Sequence, residues 1–345
     1  MTRPARSLLV SILAIAVAGC AGNGPTSSPA PVATATPTVG PTSGSTVPPT
    51  ANPVPTDTPL GDRLVATITV PQAPCAMATD ATSVWISGSA TAELIRIDPS
   101  TNAVSGKVTL DGSPCGVAVG PDGRIWVALL GAGSVVAVDP ATMMVTARLD
   151  HVGPQLWDLK VGFGAIWVSD RSAKALLRID PKDATITATI PIGAQPSGLA
   201  VVKSGVWVSD DTDGKLRRID PATNAIAGTV TAGGAPSWFA DDAGASLLIA
   251  QRGAGSVLTV DQAADTLGVP STGWNEPLDG TVVGSAAWIP EGSGRRVGVL
   301  GIGAGAPGIV RYALPGAVNP FVAEPGFGDV WVLDFGFTTV WRIHP

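Results

Sequence analysis

Pro114-Cys115-Gly116-Val117-Ala118-Val119, then Gly120-Pro121-Asp122-Gly123, then Arg124-Ile125-Trp126-Val127-Ala128 reads as a strand, a tight turn and a second strand. Proline presets φ, aspartate bonds the backbone ahead of it and glycine accepts left-handed backbone, so the four middle residues carry turn chemistry. Residues 134–139 and 145–149 supply two further short apolar runs, and Asp139-Pro140 opens the turn between them. Four strands in about forty residues is the size of one blade of a β-propeller, whose small sheets pack face to face around an axis.

The unit recurs on both sides. Its second strand reappears as Val84-Trp85-Ile86, Ile125-Trp126-Val127, Ile166-Trp167-Val168, Val206-Trp207-Val208, Leu247-Leu248-Ile249, Ala287-Trp288-Ile289 and Val330-Trp331-Val332, at spacings of 41, 41, 40, 41, 40 and 43. Thirteen residues after each central position stand Asp98, Asp139, Asp180, Asp220, Asp261, Gly301 and His344, three of them inside an Ile-Asp-Pro triplet and Asp139 inside Val-Asp-Pro. Seven copies predict an all-β, seven-bladed propeller over residues 62–345. The recurring tryptophans read as core between blades, and the recurring aspartates as hairpin residues rather than catalytic groups. The last copy stops after its third strand, at Ile343-His344-Pro345. Residues 64–70 resemble the fourth strand of the first blade, so pairing of the two ends is expected to close the ring and remove its open edges.

Composition agrees with short strands and turns: 42 Gly and 31 Pro, with only 14% charged residues, leave no room for long amphipathic helices. The formal charge is −6. An acidic body argues against nucleic acid as a partner. Ahead of the repeats, Arg3 and Arg6 precede an apolar run over residues 8–18 that is too short to span a bilayer. Val17-Ala18-Gly19-Cys20 ends that run and resembles a bacterial lipobox. Residues 1–19 are therefore expected to be a lipoprotein signal, with Cys20 the lipidated residue. Acyl chains there would tie the protein to a membrane outside the cytoplasm. Residues 20–61, nearly all Pro, Thr, Ser, Ala and Gly, are expected to form a disordered, semi-extended tether.

The succession Pro-x-Gly-[Leu/Val]-Ala-Val, Trp-Val-Ser and Arg-Ile-Asp-Pro resembles the YVTN-type and virginiamycin B lyase-like bacterial propellers over about residues 62–345. The resemblance implies the propeller fold. For the lyase it also implies an elimination that opens a cyclic depsipeptide with the help of histidines and a divalent metal. Trp167-Val168-Ser169-Asp170 and Trp207-Val208-Ser209-Asp210 keep an acid where the lyase motif ends in Glu. The histidines do not carry over: His151 falls in a loop between blades, and His344 occupies the hairpin position of the last blade on the opposite face from the expected site. No catalytic residue is assigned on this ground.

Two rings of equivalent positions vary between blades while the core repeats, as expected of an asymmetric surface on a symmetric scaffold. At the start of the first strands stand Cys75, Cys115, Trp157, Ser197, Ser237, Leu278 and Phe321, with Trp238 one step along. Three residues beyond the core position stand Gly88, Leu129, Asp170, Asp210, Gln251, Glu291 and Asp334. Trp157, Trp238 and Trp274 lie outside the packing period, and Phe335 and Phe337 add apolar area. Trp157, Trp238, Trp274, Phe321, Phe335, Asp170, Asp210, Gln251, Glu291 and Asp334 are thus the expected ligand-binding set, the aromatics alternatively plugging the funnel. Aromatic platforms beside carboxylates and amides suit a sugar chain or peptide. Asp210, Asp211 and Asp213 could hold Ca²⁺ or Mg²⁺ or form a solvated acidic loop. Cys75 and Cys115, in one register of adjacent blades, invite a disulfide if their Cα atoms come close enough. The functional expectation is a monomeric, surface-displayed binding module for an envelope polymer, peptide or protein. The alternative is a metal-dependent lyase or hydrolase acting on a cyclic peptide or lactone.

Overall fold

The computed structural model describes residues 57–345 apart from positions 72, 194, 242–245 and 304–307; the signal, Cys20 and most of the tether lie outside them. Seven antiparallel sheets follow one another along the chain, each running from an inner to an outer strand. Blade 2 shows the pattern, with Ser113–Val119, Ile125–Leu130, Ser134–Asp139 and Met144–Leu149 in order. The tight turn predicted at Gly120-Pro121-Asp122-Gly123 closes with a Gly123 N–H bond to the Gly120 carbonyl, and Gly123 sits at φ 78°. Only glycine takes that backbone without strain.

Ring closure follows the sequence expectation. Leu64–Thr69 pairs antiparallel with Thr339–Ile343, Leu64 opposite Ile343 and Thr69 opposite Thr339, and becomes the fourth strand of blade 7. Strand pairing is also present ahead of residue 62. Thr58–Pro59 adds a parallel fifth strand to the outer edge of blade 6, Asp57 binds Arg296 at 2.9 Å and Leu60 is buried. Hydrogen bonding and burial at the end of a low-complexity stretch outweigh its composition here. Blade 5 departs in another way: its outer strand is broken into Thr266–Leu267 and Ser271–Thr272, with Val269 standing 91% exposed between them. Pro270 in the break has no N–H to give a ladder.

The repeating residues have mechanical roles. Trp85, Trp126, Trp167, Trp207 and Trp331 are fully buried, as is Trp341 on a third strand, while Leu248 fills the tryptophan position of blade 5. Each of several indole N–H groups ties down the turn before its own strand, as Trp85 does to Asp80 (2.7 Å) and Trp167 and Trp331 do to the Gly162 and Gly326 carbonyls (3.0 Å each). Guanidinium groups lie over these indoles and reach to the next blade. Arg96 covers Trp85 and donates to the Pro140 carbonyl; Arg178 covers Trp167 and donates to Pro221; Arg342 covers Trp331 and donates to Pro99. The Asp-Pro turn of one blade is thereby the docking point of its neighbour. The serine after the tryptophan does the same nearer the axis: Ser87, Ser169 and Ser209 donate to the carbonyls of Cys115, Ser197 and Ser237.

Candidate functional site

A register shift near the start of most inner strands, between Leu156 and Leu159 in blade 3 and Pro320 and Val322 in blade 7 for instance, inserts a β-bulge. A bulge re-aims the side chain beside it. At this end of the channel, here called the mouth, Trp157, Trp238 and Phe321 come together from blades 3, 5 and 7. Trp157 stacks on Trp238 with centroids 6.4 Å apart, Trp238 meets Phe321 edge to face at 5.2 Å, and Phe321 meets Phe335 at 5.0 Å. These geometries are favourable for the ring quadrupoles. The rings and the Cys75–Cys115 bond share one cavity of ≈ 330 Å³ that Ser89, Ser113, Arg252 and Asn319 edge with polar atoms. The two cysteine Cα atoms are 5.0 Å apart across blades 1 and 2, within bridging range. Arg171 lies 4.8 Å over Trp157 and is held in turn by Gln195 and Asp211. The Trp157 indole N–H is buried without a hydrogen-bond partner.

The rest of the expected set lies elsewhere. Asp170, Asp210, Gln251, Glu291 and Asp334 are all buried, and none lines the mouth cavity. Asp170 accepts from the Ser172 and Ala173 N–H groups and Asp210 from those of Thr212 and Asp213, so each caps the turn that follows its strand. Asp334 accepts from Val318 and Asn319 and ties down the connection into blade 7; burial raises its pKa, and those two N–H bonds offset part of the rise. Gln251 donates to the Ala232 and Gly233 carbonyls. Glu291 is ringed by Arg296, Arg311 and the Asn275 N–H. Trp274 is core, packed against Gly298 and under Arg311. For the three aspartates the physical reason is that a carboxylate at a strand end finds unpaired N–H groups of the adjoining turn or connection; Gln251 is taken up by carbonyls and Glu291 chiefly by guanidinium groups. Asp-x-[Ser/Thr] after a strand was the available signal, the same chemistry already assigned to the Ile-Asp-Pro residues.

The acidic loop of blade 4 is likewise engaged. Asp211 pairs with Arg171 at 3.1 Å, and Asp213 pairs with Arg217 and, at 3.9 Å, with Lys215. Among the described residues no three His, Cys, Asp or Glu side chains are grouped to hold a metal ion. His344 binds Asp329 at 2.9 Å, and His151 sits exposed between blades 2 and 3.

The opposite end of the channel holds a second cavity, ≈ 880 Å³, lined by all seven inner strands. Lys160 pairs in register with Trp167 and Glu324 with Trp331, where blades 1, 2 and 4 place Ala78, Ala118 and Ala200 beside their tryptophans. Lys160 and Glu324 approach to 3.9 Å across the lumen. Burial raises the Glu324 carboxyl to about 7, with Lys160 opposing the rise and Asp241 and Asp158 adding to it. Burial likewise holds Asp279 well above the usual carboxylate range. The Lys160 ammonium is depressed by burial and raised more strongly by Asp279, Asp158, Glu324 and Asp241, so it stays charged. Sequence reading passed over this cluster; charged residues in place of a repeated alanine were the signal.

No protein-family model matches the chain, and no curated protein matches it. Solved structures do match the fold. Virginiamycin B lyase from Staphylococcus aureus superposes at a TM-score of 0.71 with 13% identity, covering 81% of this chain and 99% of the lyase. A catalytically inactive form of that lyase with quinupristin gives 0.70 at 14%, covering 79% and 96%. Hydrazine synthase of Kuenenia stuttgartiensis gives 0.67 at 16%, covering 79% and 96%. The chain has the seven-bladed propeller fold of virginiamycin B lyase.

Proposed function

We propose that the propeller is a non-enzymatic binding module, displayed outside the cytoplasm on a lipid tether, that takes a flat apolar group of an envelope polymer, peptide or protein into its aromatic mouth. The observation that carries this reading is the run Trp157–Trp238–Phe321–Phe335, drawn from three separate blades to one cavity. A cavity of that volume with apolar walls and a few polar edges suits one sugar ring or one peptide side chain at a time. The Cys75–Cys115 bond at its wall supports an oxidising compartment. The lipobox at Cys20 and the tether support membrane attachment. A lyase of cyclic peptides is the second reading, supported by the likeness to the structure with quinupristin.

The test uses full-length chain and Trp157→Ala/Trp238→Ala, both checked for folding by circular dichroism. Wild type should retain a component of cell-envelope extract, and soluble muropeptide and quinupristin serve as defined probes by tryptophan fluorescence titration. Loss of retention in the folded variant supports the reading. Equal retention by both proteins places the ligand surface elsewhere. Turnover of quinupristin by wild type would replace the binding reading with the lyase one.

A further inference from the structure

The walls of the mouth cavity carry no carboxylate. Among the described residues that line it, Arg252 alone bears a charge, although the chain as a whole is acidic at a net −6. Asp170, Asp210, Glu291 and Asp334 are buried outside it, and Asp211 is held by Arg171. Arg252 follows the second strand of blade 5, Leu247–Gln251, and edges the cavity with 55% of its side chain exposed. Its Nε and Nη2 both donate to one oxygen of Glu276, at 3.2 and 3.0 Å, and its Nη1 has no hydrogen-bond partner among the described residues. Seven blades in order put blade 5 across the axis from blades 1 and 2. There Ser89 and Ser113 line the same cavity. Ser89 Oγ donates to the Ala73 carbonyl at 2.9 Å, and Ser113 Oγ donates to the Ser89 carbonyl at 3.1 Å. Each hydroxyl has committed its one proton to the backbone, so what it offers the cavity is lone pairs, which accept an N–H.

The aromatic rings thus form an apolar bed with a guanidinium on one side and two acceptor hydroxyls on the other. An aromatic bed alone would suit a cation as well, because ring faces are negative. Arg252 at the rim opposes that, and Arg171 already lies over the face of Trp157. We propose, on the reading of the mouth as a binding site, that its ligand is the C-terminal end of a peptide whose last side chain is apolar or aromatic. That side chain lies on the rings, the free carboxylate meets Arg252, and amide N–H groups of the last residues meet Ser89 and Ser113. Glu276 occupies the guanidinium until the ligand carboxylate arrives. The exchange costs little, because an ion pair this open to water is weak. Glu276 also keeps the Ser293 hydroxyl as a partner when it lets go. A charge-assisted bond made against the cavity wall is shorter and stronger than a neutral one, so a carboxylate is preferred to an amide there.

Ligand-observed NMR titration of the full-length chain tests this with three probes. They are N-acetyl-alanyl-phenylalanine, its C-terminal amide, and the free acid with an ester in place of the alanyl-phenylalanine amide bond. Wild type is expected to bind the acid about tenfold more tightly than the amide, the size of one partly exposed charge-assisted hydrogen bond. It should also bind the acid more tightly than the ester, which lacks the N–H. Arg252→Gln should bring acid and amide together by weakening the acid. Glu276→Gln, which removes the competing carboxylate, should widen the gap between them. Trp157→Ala/Trp238→Ala should lose acid and amide alike, and circular dichroism checks that every variant is folded. Equal binding of acid and amide by wild type, a gap that survives in Arg252→Gln or fails to widen in Glu276→Gln, or equal binding of the ester overturns the proposal and leaves the mouth as a site for some other group. Failure of all three probes to bind wild type, or undiminished binding by the folded tryptophan variant, overturns the reading of the mouth and the proposal with it.

Discussion

Replacing Arg342 by Met tests whether the ring is held shut by the clasp between its last and first blades. The Arg342 side chain is 14% exposed, donates to Asp329 at 2.6 Å, reaches the Pro99 carbonyl and Asn102 of blade 1, and covers Trp331. Methionine keeps much of the apolar stem, so the loss is chiefly electrostatic. Asp329 is left 7% exposed with His344 alone beside it. Removing one partner of a buried ion pair costs about 3–5 kcal/mol, because the other charge stays desolvated. For roughly 280 described residues at about 2.1 cal/mol/K each, that corresponds to a fall of about 5–9 °C in melting temperature. Arg96→Met is the internal control. Arg96 makes the same clasp to Pro140, but its own-blade partner is the Ser105 hydroxyl rather than a carboxylate. Its loss should therefore cost about 1.5–3 kcal/mol, the range of hydrogen bonds that involve one charged group. Combining Arg342→Met with Asp329→Asn should recover part of the loss, since the stranded charge goes too. Differential scanning calorimetry on the three variants decides it. The reasoning fails if Arg342→Met melts within a degree of wild type, or if Arg96→Met is the more damaging of the two.

Trp167→Ala, which empties a fully buried site, should destabilise by about 3–5 kcal/mol, whereas Trp157→Ala/Trp238→Ala should remain folded and lose ligand; chemical denaturation beside the retention assay separates the two. Asp210→Ala should cost about 1–2 kcal/mol through the loss of its turn N–H partners and leave retention of ligand by the folded variant unchanged; reduced retention would return Asp210 to the binding surface. Reducing Cys75–Cys115, which spans 40 residues, should lower stability by about 2–4 kcal/mol, visible as a shift in melting temperature with and without reductant. A pH dependence is expected at the acid end. Asp98, Asp139 and Asp220 are held below the usual carboxylate value by hydrogen bonds from Ser100, Thr142 and Ala222 respectively. Their contribution is present above about pH 4 and is lost as the pH falls below it, so the acid limb of the melting profile should shift in Asp139→Asn.

The mouth was half legible in the sequence. Trp157, Trp238, Phe321 and Phe335 stood out because they interrupt a packing period. The period says only that a residue is not core in its own blade, so Trp274 met the same criterion. Its ring nonetheless closes over Gly298, a glycine whose missing side chain makes room for it. The carboxylates stand apart from the mouth for a related reason: a variable position signals that blades differ there, and both a ligand surface and a set of individually built turns vary in that way.

The fold is the part that one-dimensional information was enough to determine. Strand length, turn chemistry and the tryptophan period are all local, and seven copies of a local rule leave a closed ring as the arrangement that buries every blade face and pairs both ends. Which end of the chain completed blade 7 was also local, because Leu64–Thr69 carries a strand pattern that its own neighbours leave unpaired. Tertiary structure alone decided what stands opposite what across the axis. Lys160, Asp241, Asp279 and Glu324 are separated by 38 to 164 residues in the sequence and become neighbours only because three blades curl round to face a fourth. Their electrostatics arise from distance and exclusion of water in a shared lumen, quantities that no single blade possesses.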